Sequence, residues 1–318
     1  MLSWKLWRAL NNPPRHHPLF QYVLSKAKRE EPKVTSIFFM WAFMCSTITF
    51  FWTIVLDWVP YLVLAVLILF NTIYSVRWVL RISATIAREK EHRRYDLLAS
   101  LPSGLLGISW AISTGCVHRR SSFRWMPYLM LLGVVCVCFM LSLFVAIAAF
   151  VIETNSMHGK EVIADIMLME LGIIGFALMV IFYFDHIYST LTAILIGQII
   201  SVDLIDATEA RIRAFLAFLS LQFLLYITTY TVMILILPKI TQFFGFDGIW
   251  NYVSLGLIGI VFFLILREIL VKLLWYTLHH IVLADEKEIA LVLEPSYLLD
   301  KILNDGELRA PPSFDGIG

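Results

Sequence analysis

Five uncharged runs of about twenty residues or more govern what this chain can fold into: 34–56, 58–76, 125–152, 214–238 and 248–266. A bilayer core about 30 Å thick is crossed by about 20 helical residues, because hydrocarbon offers no partner to an open backbone amide. A sixth stretch, 162–184, is apolar apart from Asp165 and Glu170, and its apolar character continues past Asp185 and His186 to Val202. Hydrophobic residues make up 59% of the 318 and charged ones only 15%, against about 25% charge in ordinary soluble domains. The sequence therefore predicts an all-α, polytopic membrane protein with about six spans rather than a soluble globule.

Charge placement orients those spans. Lys and Arg total 25, and with the N-terminus inside, 23 of them fall in cytoplasmic pieces, leaving Lys160 and Lys239 outside. This predicts an integral plasma-membrane protein with both termini cytoplasmic. The division is 1–33 as a cytoplasmic or interfacial segment, 34–284 as the membrane domain and 285–318 as a cytoplasmic tail. Spans are expected at about 34–56, 58–80, 125–152, 162–184, 214–238 and 248–270, with 185–202 crossing, re-entering or lying on the membrane. Trp4, Trp7, Lys5 and Arg8 suit an interfacial helix before the first span. The run 105–116 is too short to span and reads as a membrane-surface segment.

Catalytic signatures are few. There is no GxxxxGK[ST] phosphate loop, no HExxH, no GxSxG and no CxxC pair. Cys136 and Cys138 sit two apart in an apolar run and read as structural, as do the adjacent pairs His16-His17 and His279-His280, which suit interface polarity. No metal site is expected. Carboxylates in apolar segments carry more information, since a central Asp costs roughly 2.5–3.5 kcal/mol on insertion scales and so faces protein, water or an ion. Glu170, Asp165 and Asp185 are thus candidates for a pathway or subunit seam. Asp185-His186 also reads as helix-boundary polarity.

The run Arg88, Glu89, Lys90, Glu91, His92, Arg93, Arg94, Tyr95, Asp96, Leu97, Leu98, Ala99, Ser100, Leu101, Pro102 resembles the cytoplasmic signature of ABC-2 type transporter permeases. Where that family often carries Gly-Thr, this chain has Arg94-Tyr95. Pro18, Leu19 and Phe20, followed by Lys26, Lys28 and Arg29, look like the family's approach to the membrane. The resemblance implies a coupling helix at 86–102 after span two. Arg88, Glu89, Lys90, Glu91, Arg93, Arg94 and Asp96 would dock a separate ATPase, and Tyr95, Leu97, Leu98, Leu101 and Pro102 would anchor it. It also implies no cofactor in this chain, ATP and Mg in the ATPase partner, a second permease chain, contact with the lipid bilayer and no nucleic acid.

Two other functions fit the same residues: a non-transporting membrane scaffold or assembly subunit, and an integral-membrane lipid-modifying enzyme using Glu170 or Asp185-His186. Intrinsic catalysis is not expected of the permease or the scaffold.

Overall fold

The computed structural model describes residues 1–13, 18–25, 59–92, 104–118, 161–243, 249–284, 289 and 292. The named elements are helices α1 (Leu2–Asn11), α2 (Pro18–Ser25), α3 (Val59–Glu91), α4 (Gly104–His118), α5 (Glu161–Asp203), α6 (Ala207–Thr231), α7 (Leu237–Phe243) and α8 (Ile249–Val282), with a π-helical turn, Val232–Ile236, between α6 and α7. No strand occurs among the described residues. The all-α expectation is met.

Local chemistry sets several of these ends. Pro60 stands in the first turn of α3, where its missing amide costs nothing, while Arg88 and Lys90 in the last turn complement the negative end of the helix dipole. Asp206 caps α6 by accepting from the Thr208 amide at 2.8 Å. Pro238 cannot continue the i to i−4 ladder and its ring crowds the carbonyl four residues back, which accounts for the π turn just before it. At the end of α8 the chain closes with Leu283 at φ 50° and the Ala284 amide on the His279 carbonyl at 3.3 Å, the bond of a Schellman cap.

α3 and α5 lie side by side and run in the same direction. Asn71 meets Asp185, Tyr74 meets His186, Ile82 meets Gly197 and Lys90 meets the Val202 carbonyl. Gly197 is what lets the two helices come so close: a Cβ there would lie 3.1 Å from Ile82 Cγ2 and 3.4 Å from the Val79 carbonyl oxygen. α6 turns back along α5 after only residues 204–206, so that Ser189 faces Gln222 and Asp185 faces Tyr226. The hydrophobic core gathers Leu6 and Leu10 from α1, Ile82 and Ile86 from α3, Ile108 and Ile112 from α4, Leu191 and Leu195 from α5, Phe218 from α6 and Leu278 from α8.

The six-span architecture is corrected by this packing. Among the described residues, two segments are long and apolar enough to cross a membrane by length and composition, Val180–Asp203 and Ala207–Thr231. The first has 72% of its apolar window buried inside the chain. Apolar runs of this length also belong to helices at the centre of a packed core, and periodicity does not separate the two cases. The integral plasma-membrane placement rested on six spans and is overturned with them. Segment 185–202 is neither re-entrant nor interfacial: it continues α5 without a break. The run 105–116 is no surface segment either, since α4 is buried from Ile108 to Val117. Its hydroxyls permit this, with Ser109, Ser113 and Thr114 bonded to carbonyls of their own helix at 2.7–3.1 Å. The expected spans 34–56 and 125–152 lie outside the described residues.

Candidate functional site

Eighteen polar or charged side chains are buried among the described residues, and some of them, drawn from four helices, surround one ion pair. Asp185, midway along α5, and Arg267, on α8, are both fully buried and bonded to each other through Asp185 Oδ1 and an Arg267 terminal nitrogen. The same nitrogen donates to the Tyr226 hydroxyl at 2.9 Å, and the other terminal nitrogen donates to Gln222 Oε1 at 2.9 Å. Tyr226 donates in turn to the Asp185 carboxylate, 3.1 Å from both oxygens. Asn71 Nδ2 reaches Asp185 Oδ2 at 3.0 Å from α3, and Gln222 Nε2 reaches Ser189 Oγ at 3.3 Å. Four helices thus meet on two opposite charges.

Burial, ahead of the nearby Asp185 charge, pushes the Tyr226 phenol up to about 12, so it stays protonated and available as a donor. For Arg267 burial opposes the charge, but Asp185 and Tyr226 outweigh it and hold the guanidinium above its ordinary pKa. The guanidinium also lies 5.1 Å from the Tyr226 ring centroid and 5.3 Å from that of Phe263. A mutually bonded pair of opposite charges, reached from four helices, holds those helices together.

A second buried carboxylate, Glu268, is the next residue of α8. It accepts from the Leu2 amide at 2.8 Å, the Ser3 amide at 3.5 Å, the Ser3 hydroxyl and the Tyr188 hydroxyl at 3.2 Å. Burial favours its neutral form, yet these donors prevail and hold it below the usual carboxylate range. Next to Asp185 on α5 is His186, 3% exposed, with Trp7 edge-on at 6.4 Å and Tyr74 at 5.3 Å between ring centroids. Neither ring nitrogen of His186 has a hydrogen-bond partner, and burial lowers its pKa to about 4.

The residues expected from sequence are dispersed. Asp185 enters the ion pair. Asp165 and Glu170 lie on α5 in a stretch whose side chains are outside the described residues. On the last turns of α3, Arg88 and Glu91 are exposed, Glu89 is buried, and Lys90 donates to the Val202 carbonyl. Arg93, Arg94, Tyr95, Asp96, Leu97, Leu98, Leu101 and Pro102 lie outside the described residues, as do Cys136 and Cys138. Among the described residues no group of three or more His, Cys, Asp or Glu side chains could hold a metal ion. Sequence reasoning missed Arg267, Glu268, Tyr226, Gln222 and Asn71. The available signal was complementarity: one carboxylate in the apolar stretch around 185 and an Arg-Glu pair in the apolar stretch around 267.

Taken together, fold and site define an all-α globular protein organised around a buried ion-pair network. Compared with protein-family models, curated proteins and solved structures, the chain matches none. The resemblance to ABC-2 permeases, the transport function and the membrane-transport description drawn from it are overturned. The charged run at 88–102 shares its letters with that family, but neither a family match nor the six-span bundle stands behind it.

Proposed function

We propose that this chain is a non-catalytic assembly protein that pairs with a second copy of itself through the outward faces of α6 and α8. The observation that carries this reading is the one-sided burial of α6. Of its 25 residues only Ala210, Ala214, Phe218, Gln222 and Leu225 are buried. Ile212, Leu216, Leu219, Phe223, Ile227 and Tyr230 are exposed. Large apolar side chains at helical spacing, left open over the length of a helix, mark a binding face. On α8, Leu257, Val261, Ile265, Ile269 and Leu273 recur every four residues and are likewise exposed.

A second copy is the occupant best suited to this surface. The chain's net charge of +1 gives two copies little long-range repulsion. Twofold pairing through one self-complementary patch is by far the commonest form of association. Lys272 stands exposed beside Ile269 and Leu273, and a polypeptide can answer its ammonium with a carboxylate or carbonyl where hydrocarbon cannot.

The test is the mass of the purified full chain by light scattering over a range of concentrations, with a photo-crosslinking residue placed at Phe223, at Ile265 or, as a control, at buried Phe218. The reading expects a dimer, crosslinks of twice the chain mass from 223 and 265 but not 218, and a monomer for Phe223→Lys with Ile265→Lys. A monomeric wild type, or adducts to lipid or detergent alone, overturns it.

A further inference from the structure

α1 lacks the means to cap itself. Its N-cap, Met1, makes no side-chain bond to the helix, whose first amides would otherwise be left open. The cap comes instead from the far end of the chain, where Glu268 accepts from the amides of Leu2 and Ser3 and from the Ser3 hydroxyl. At the other end of α1, His118 Nε2 on α4 donates to the Leu10 carbonyl at 2.7 Å. A carboxylate at the positive end and an imidazole at the negative end both match the helix dipole. A ten-residue helix has little stability in isolation, so α1 forms as it docks and unravels as it leaves.

Beneath it sits His186. Trp7 of α1 packs edge-on against the imidazole at 6.4 Å and Tyr74 of α3 lies 5.3 Å from it, and both ring nitrogens are uncommitted although the side chain is 97% buried. Buried polar atoms are nearly always bonded, and the ion pair next door leaves this imidazole out of its network. We infer that α1 is a lid latched by Glu268 and His118, and that its release uncovers the imidazole of His186 to reagents and ligands. The lid is a two-state element: helical and docked, or detached with Leu6, Trp7 and Leu10 withdrawn from the core.

Diethyl pyrocarbonate modification of the full chain at neutral pH, read residue by residue by mass spectrometry, tests this when paired with amide hydrogen exchange. Exposed His92 serves as the internal reference. Wild-type His186 is expected to react at least about 100-fold more slowly than His92, reflecting a small open population. Glu268→Gln weakens the charged latch and should speed both His186 modification and exchange of amides 6–10 about 10- to 100-fold, the range for one lost charge-assisted bond. Amides 190–196 in the centre of α5 should stay as slow as in wild type.

An unchanged His186 rate in Glu268→Gln overturns the lid. So does equal acceleration at 190–196, which means that His186 is reached only by global unfolding. Should Glu268→Gln fail to fold, Ser3→Ala removes one bond to the latch and leaves the carboxylate. A rise of about tenfold or more confined to His186 and amides 6–10 is expected, and no rise rejects the proposal.

Discussion

Replacing Arg267 with Met keeps most of the side-chain length and leaves Asp185 as a buried carboxylate without its counter-charge. Breaking a buried pair from one side costs about 3–5 kcal/mol, because the remaining ion stays desolvated. The Asp185→Leu change strands the Arg267 guanidinium in the same way, for a similar loss of about 3–5 kcal/mol. The two single losses would then sum to about 6–10 kcal/mol if independent. In the double variant no charge remains. Gln222 and Asn71 each lose one bond to the pair and Tyr226 loses two, at about 1 kcal/mol apiece, and apolar packing in place of the ions recovers part of that. The double variant is therefore expected to lose only about 1–3 kcal/mol, a coupling of about 5 kcal/mol or more between positions 82 residues apart. Urea unfolding of wild type, both single variants and the double variant, followed by helical circular dichroism, closes the cycle. Single losses near 1 kcal/mol that simply add would refute the reasoning, since they would mean a pair in contact with water.

Leu283 holds a left-handed backbone at φ 50° and is 81% exposed, so Leu283→Gly removes strain without emptying the core and should stabilise the chain by about 1 kcal/mol in the same unfolding assay. Gly197→Ala gains about 1 kcal/mol of helix propensity but drives a methyl to 3.1 Å from Ile82 Cγ2, an overpacking that costs typically 1–3 kcal/mol; a net loss of about 1 kcal/mol is expected, and a gain would show that α3 and α5 separate freely. Because His186 is held neutral with a pKa of about 4 against 6.5 when unfolded, the unfolded chain takes up this proton first as pH falls. Its share of stability is whole above pH 6.5 and drops by on the order of 3 kcal/mol by pH 4; His186→Phe should flatten the pH dependence of the melting temperature across that window. Asp206→Ala deletes the cap on Thr208 and should cost about 1 kcal/mol, with faster amide exchange confined to the first turn of α6.

The helical class was legible from the apolar runs alone, and Asp185 stood out only as a carboxylate in an apolar stretch. What that carboxylate touches was not legible. Its counter-ion lies 82 residues downstream, where Arg267 reads equally well as the charged boundary of a span. His186 looked like polarity at a helix end because Val202 was taken as the close of a separate segment, whereas α5 carries it deep inside. α4 misled for a different reason: the run 105–116 is too short to span a membrane, but its hydroxyls bond carbonyls of the same helix and Ser113 also accepts from Gln198 at 2.8 Å, so the helix is satisfied inside protein. Apolarity along a chain records how much of it avoids water, not whether protein or lipid provides the shelter.

The shared direction of α3 and α5 has a consequence for how the molecule is born. Antiparallel α5 and α6, joined by three residues, can zip together as soon as both have left the ribosome. α3 waits longer for α5, whose matching positions come 112 to 115 residues later. At 5–20 residues per second that delay is roughly 6–23 s. Throughout it Asn71, Tyr74 and Ile82 await their partners on α5, and a chaperone or a neighbouring nascent chain has its best opportunity to intervene then.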